Sequence, residues 1–147
     1  MHSIELAWAA GFFDGEGTTG TECYVPGLGR GAPRLRLALS APQVDPRPLQ
    51  RLSAALGVGS LSLRPARGNA RPIWRWRCNG GAAERALSAL WPYLSEPKRE
   101  QAMRAVERIT LDRTQRRHRA WGGLRPLARL RAMARAQAQA LGPWPPA

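Results

Sequence analysis

The stretch from Ala7 to Gly17 constrains this chain more than any other. It starts as an apolar helix and ends in the acids Asp14 and Glu16, separated and followed by Gly15 and Gly17. Ser3 is placed to cap the helix, its hydroxyl accepting from an orphan amide of the first turn. Ala7, Ala10, Gly11 and Asp14 recur at three- and four-residue spacing and share one helical face. A face built from such small residues lets a second backbone approach closely. Gly15 and Gly17 then stop the helix, where left-handed or extended conformations are expected. That leaves Glu16 beside outward-pointing carbonyls, where a carboxylate meets unfavourable dipole charge that a bound cation would offset.

The period then changes from helix to strand. Thr18–Val25 is rich in Thr and Tyr and reads as a first strand. A turn punctuated by Gly and Pro follows, over Pro26–Pro33. Arg34–Ser40 alternates Leu35, Leu37 and Leu39 with Arg34, Arg36, Ala38 and Ser40, the mark of an antiparallel strand with one face in the core. Pro46–Leu56 reads as a helix with Asp45 as N-cap, Pro46 at its first position, Leu49, Leu52 and Leu56 buried, and Gly57 ending it. Val58–Arg64 is a third strand with Leu61 and Leu63 inward and Ser62 and Arg64 outward. In Ile73–Cys78, Trp74 and Trp76 face one way and Arg75 and Arg77 the other. Those tryptophans could stack on bases, but filling the core is their commoner use. Asn79-Gly80-Gly81 breaks the strand. Helices follow over Ala82–Leu90, from Glu96 to about His118, and over Leu124–Leu141, the last preceded by a Trp121-Gly122-Gly123 linker and followed by a Pro-rich end.

This order, α-β-β-α-β-β-α-α, implies an α+β fold with a four-stranded antiparallel sheet and an extra basic C-terminal helix. We divide the chain into a domain over 1–118 and a basic extension over 119–147. Net charge is +13, with a single lysine among 23 basic residues and ten acids. An excess of that size suits a polyphosphate partner bound in a salt-dependent way. Compositional drift accounts for Arg over Lys, but not for bases so far outnumbering acids. From Arg113 onward there are eight arginines and no acid, which offers a contact for RNA. Cys23, Cys78, His2 and His118 show no metal-ligand spacing, which argues against zinc, and two isolated cysteines fit reduced thiols. No membrane span or signal pattern is present, so a cytoplasmic protein is expected.

Ala9-Ala10-Gly11-Phe12-Phe13-Asp14-Gly15-Glu16-Gly17 resembles the signature of the LAGLIDADG homing endonucleases, in its "LAGFIDGEG" form, and the likeness extends over roughly residues 4 to 110. The resemblance implies a saddle-shaped sheet with helices on one face and a basic concave face on the other. It also implies that signature helices of two domains pack side by side and that the last acid of each motif ligates a divalent metal at the scissile phosphates. Here that acid is Glu16, with the Gly15 carbonyl beside it. One motif per chain implies a homodimer meeting through Ala7, Ala10, Gly11 and Asp14, and by symmetry a palindromic or near-palindromic target. Pro92-Tyr93-Leu94 through Lys98 to Gln101-Ala102 is similar to the family's "PYL..K..QA" stretch, whose lysine lies beside the active site. Gln43 resembles a family glutamine that hydrogen-bonds active-site water, and Arg47 its phosphate-facing companion.

The expected chemistry is site-specific phosphodiester hydrolysis giving a double-strand break, of the kind that mobilises introns or inteins. Mg²⁺ suits Glu16, since it takes oxygen ligands and keeps several waters, and another divalent ion such as Mn²⁺ would serve. Arg34, Arg36, Ser40, Arg47, Arg64, Arg75 and Arg77 are the expected contacts to double-stranded DNA. The competing reading is a binder without catalysis on the same scaffold, an intron RNA maturase or a DNA-binding regulator. Intact Glu16 and Lys98 favour the enzyme, because binding alone needs neither.

Overall fold

The structure is a computed structural model that describes residues 2–27, 31–120 and 136. The elements run α1 (His2–Glu16), β1 (Thr18–Tyr24), β2 (Arg34–Gln43), α2 (Pro46–Leu56), β3 (Ser60–Arg64), β4 (Ile73–Asn79), α3 (Gly81–Leu90), a 3₁₀ turn (Trp91–Tyr93) and α4 (Glu96–Ala120). This is the expected α+β order. The expected linker at 121–123, the helix Leu124–Leu141 and the Pro-rich end lie outside the described residues, apart from the helical Ala136. α4 itself passes the boundary drawn at 118 and runs to Ala120. Among the described residues no helix is long and apolar enough to cross a membrane.

The four strands form one antiparallel sheet in the order β1-β2-β4-β3. The four described α-helices pack on the same face of it. Leu37, Leu39 and Ala41 of β2 and Trp76 and Cys78 of β4 meet Ala9, Ala10 and Phe13 of α1, Leu49 and Leu52 of α2, Ala83, Leu87 and Leu90 of α3, and Ala102, Ala105 and Ile109 of α4. Trp76 is fully buried at the centre, its ring edge-on to Phe13 at 6.5 Å and its Nε1 donating to the Val58 carbonyl at 3.1 Å. The tryptophan alternation of β4 therefore serves the core.

α2 is bounded as its sequence predicts. Asp45 accepts from the Arg47 amide at 2.9 Å, and Gly57 closes the helix at φ +64°. At other boundaries the structure departs from expectation. Ser3 lies inside the first turn of α1 rather than capping it. β2 runs on to Gln43, because β4 pairs with it as far as Gln43 opposite Trp74. β3 starts at Ser60 rather than Val58, since Gly57 and Gly59 both take positive φ ahead of it. Gly15 and Gly17 are not among the positive-φ glycines. Gly15 is still helical, and Gly17 is required for space: a Cβ there would run into the ring of Phe13. Close packing, not a left-handed turn, demands glycine at that position.

Candidate nucleic-acid interface and active site

Among the described residues the helices all lie on one side, and none of them covers the other face of the sheet. The register aligns Thr18, Gly20, Glu22 and Tyr24 of β1 with Ser40, Ala38, Arg36 and Arg34 of β2. It likewise sets Ser40 opposite Arg77 and Pro42 opposite Arg75, then Arg77 and Arg75 opposite Ser60 and Ser62 of β3. Arg34, Arg36, Ser40, Arg75 and Arg77 thus share one surface, as alternation predicted, and Arg64 extends it opposite Ile73. At the β3–β4 end, Arg64, Arg67, Arg71 and Arg75 line a groove of about 640 Å³ with Pro42 and Ile73.

The acid-bearing end of α1 is stitched to the start of α4. Ser95 donates its amide to Asp14 Oδ1 and Oδ2 at 3.2 and 3.0 Å and its hydroxyl to Oδ1 at 3.0 Å, placing a carboxylate at the positive end of α4. Three residues on, Lys98 Nζ donates to the Gly17 carbonyl and lies 5.9 Å from the centroid of the Phe13 ring. Three further on, Gln101 Oε1 accepts from the Thr19 amide at 3.2 Å. One face of α4 thereby follows the chain as it leaves α1 and enters β1. Lys98 is half-buried beside that junction, and Glu16, with Gly15, stands exposed on it. Among the described residues Glu16 makes no side-chain hydrogen bond or ion pair, so its carboxylate is free to take a ligand. Gln43 lies at the same end of the sheet, three residues beyond the pairing of Thr18 with Ser40, or about 10 Å along the strand.

Other expected site residues stand differently. Asp14 is engaged within the chain by Ser95. Ala10 is fully buried in the core, because its side of α1 faces the sheet. The exposed stripe of α1 is instead Ile4, Ala7, Gly11 and Gly15, with Ile4 69 % exposed and open space where a Cβ on either glycine would project. Arg47 forks onto Asp45, with Nε to Oδ1 and Oδ2 at 3.0 and 2.9 Å and Nη2 to Oδ2 at 2.5 Å. This bond holds the Asp45 carboxyl below its ordinary range and raises the Arg47 guanidinium. Arg47 is therefore tied to the cap of α2.

Glu22 was not singled out from the sequence, yet it sits among the arginines. Its carboxylate accepts from Arg36 Nε at 2.6 Å and from Arg77 Nη2. A hairpin register carried through from Arg36 would have found it. Among the described residues no three His, Cys, Asp or Glu side chains gather to hold a metal. The thiol of Cys78 is pushed up to about 12 by burial, so it is inert.

No protein-family model matches the chain, and no curated protein matches it in sequence. Solved structures do. The homing endonuclease I-CvuI, in complex with its target in the presence of Ca, superposes with a TM-score of 0.58 at 17 % identity, over 95 % of this chain and 83 % of that one. The archaeal intron-encoded homing endonuclease I-Vdi141I, complexed with DNA, gives 0.54 at 14 %, over 92 % and 98 %. The LAGLIDADG meganuclease I-CpaMI, bound to uncleaved DNA, gives 0.51 at 18 %, over 78 % of this chain and 39 % of that one. With its signature sequence on α1 and its helices on one face of the β1-β2-β4-β3 sheet, this chain has the LAGLIDADG homing-endonuclease fold.

Proposed function

We propose that the protein is a site-specific DNA endonuclease acting as a homodimer with divalent metal. The observation that carries this reading is that Glu16, exposed and without a side-chain partner among the described residues, and Lys98, half-buried and donating to the adjacent Gly17 carbonyl, stand on the same junction at one end of the arginine-lined sheet. Binding alone would need the arginines and neither of these. The solved neighbours support DNA binding alongside divalent ions, since I-CvuI is seen with its target in the presence of Ca and, in the presence of Mg, with DNA not cleaved.

Glu16 and the Gly15 carbonyl are oxygen donors that suit Mg²⁺, and the exposed position of Glu16 leaves room for the waters that ion retains. Bound there, a divalent cation would lower the pKa of water and offset charge on the phosphate. Within the chain, Lys98 would donate toward the phosphate or the attacking water, and Gln43 would orient that water from the end of β2. Asp14 fixes the junction by holding Ser95, and the sheet arginines hold the duplex across it.

One carboxylate is a thin ligand set, so a second copy is part of the proposal. The exposed Ile4, Ala7, Gly11 and Gly15 leave α1 apolar on its outer side as well as its inner one, which calls for a cover. Gly11→Leu is expected to force two such helices apart by overpacking, giving a folded monomer in sedimentation where the native protein is a dimer. The function itself is tested on a library of palindromic duplexes with Mg²⁺. Cleavage of both strands at one sequence is the expected result, and binding without any cleavage would leave a DNA-binding regulator instead. Arg75→Ala should weaken duplex binding across sequences and reduce the salt slope by about one if it contacts a phosphate. An unchanged affinity would put the DNA elsewhere on the chain.

A further inference from the structure

The half-buried acid among the sheet arginines needs a reason. Glu22 is only 17 % exposed at its side chain, between Arg36 at 34 % and Arg77 at 45 %. It is the one acid among the residues that β1, β2 and β4 present on that face, which comprise Thr18, Gly20, Glu22, Tyr24, the alternate residues Arg34–Pro42, and Ile73, Arg75, Arg77 and Asn79. For a surface that only neutralised phosphates, a carboxylate there would be a defect. It repels the backbone it faces and withdraws two guanidiniums from it.

We infer that Glu22 is a positioning residue that locks Arg36 and Arg77 into a fixed fork for reading guanine in the major groove. The inference rests on the DNA-binding reading above and goes further by naming a base and the residues that select it. Arg36 is held on two sides, by Glu22 at Nε and by the Tyr24 ring, whose centroid lies 4.5 Å from Cζ. Its terminal nitrogens have no other partner among the described residues. Arg77 gives Glu22 one terminal nitrogen and keeps its remaining N–H donors. A guanidinium carries five donors in a rigid plane, so pinning one edge leaves a second edge aimed outward. Two parallel donors match guanine O6 and N7, the commonest specific major-groove contact. Beside the fork is a shallow depression of about 220 Å³, lined by Gly20, Ala38, Ser40, Glu22 and Arg77 among others. A Cβ on Gly20 would meet nothing, so the space above it is open to a base edge. Fixing both side chains in advance also removes ordering entropy that binding would otherwise cost.

The test is selection from a duplex library with a randomised core, comparing native protein with Glu22→Gln, Arg36→Lys and Arg77→Lys, each checked for folding by thermal melting. The native protein should enrich one or more guanines per half-site. In Glu22→Gln the preference for guanine at that position should fall by about 5- to 150-fold, the range for losing one good bidentate contact. Affinity for a fixed, unselected duplex should stay level or tighten, because an acid has gone. Each Arg→Lys change keeps the charge and removes the fork, which shows whether that arginine reads the base; should Glu22→Gln not fold, Glu22→Asp, which keeps the charge and shortens the reach, tests the clamp. If the variants enrich the same guanines as the native protein, the clamp is wrong while the DNA-binding reading stands. If the native protein binds no duplex, both readings fall.

Discussion

Glu16→Gln is expected to abolish Mg²⁺-dependent cleavage while leaving duplex binding intact or tighter. The substitution keeps the shape of the side chain and removes the charge that would hold a cation. Loss of an outer-shell partner commonly costs a metal site about 10–100-fold, and a direct ligand should cost more. Binding survives because the sheet arginines that hold the duplex are untouched, and one carboxylate repelling phosphate has gone. Lys98→Met should also impair cleavage, though less, since it assists a site that Glu16 builds. Single-turnover cleavage and gel-shift affinity on one selected duplex separate the two effects. Near-native cleavage by Glu16→Gln would sink this account of the active site.

Gly17→Ala is expected to be the most damaging methyl group that could be added near the site. The new Cβ would fall on the ring of Phe13, which is fully buried and packed edge-on against Trp76, so making room for it means shifting the core. Overpacking of this kind costs about 1–3 kcal/mol, or a Tm lower by roughly 3–10 °C for a domain of this size. Activity should fall further than stability explains, because Gly17 also carries the carbonyl that holds Lys98. Thermal melting and metal-dependent cleavage of the variant beside the native protein read the two effects. An unchanged Tm would show that Phe13 has room to move.

The sequence was most legible where a period ran long against a contrasting background. Leu35, Leu37 and Leu39 against Arg34 and Arg36 left one solution for β2, and Asp45-Pro46 with Gly57 marked both ends of α2. Asp14, placed by spacing on the face that meets a second helix, instead accepts from Ser95 at the start of α4, a partner that depends on a fold joining residues 81 positions apart. The same limit hid Glu22, whose meaning lies in neighbours on two other strands. Arg47 pairs with Asp45 two residues away, a local contact that a reading aimed at a phosphate partner passed over. Ala10 was misplaced because small-residue spacing does not say which side of a helix meets the sheet. Gly17 was noticed for the wrong cause, since backbone freedom and lack of space call for the same residue.

α4 also finishes what the sheet leaves undone. β2 outruns β4, whose pairing with it ends at Ala38 and Asn79, and the groups beyond are taken up by Gly80, which donates to the Leu37 carbonyl at 2.8 Å, and by Asp112, which accepts from the Leu35 amide at 3.0 Å. The Thr19 amide, on the outermost strand, is met by Gln101 of the same helix. Release of α4 would therefore uncover two amides far apart on the hairpin in one event, and would carry Lys98 off the junction with them. In amide hydrogen exchange Thr19 and Leu35 should share a single opening free energy despite belonging to different strands. The lifetime of the intact site would then equal the residence time of one helix on one hairpin.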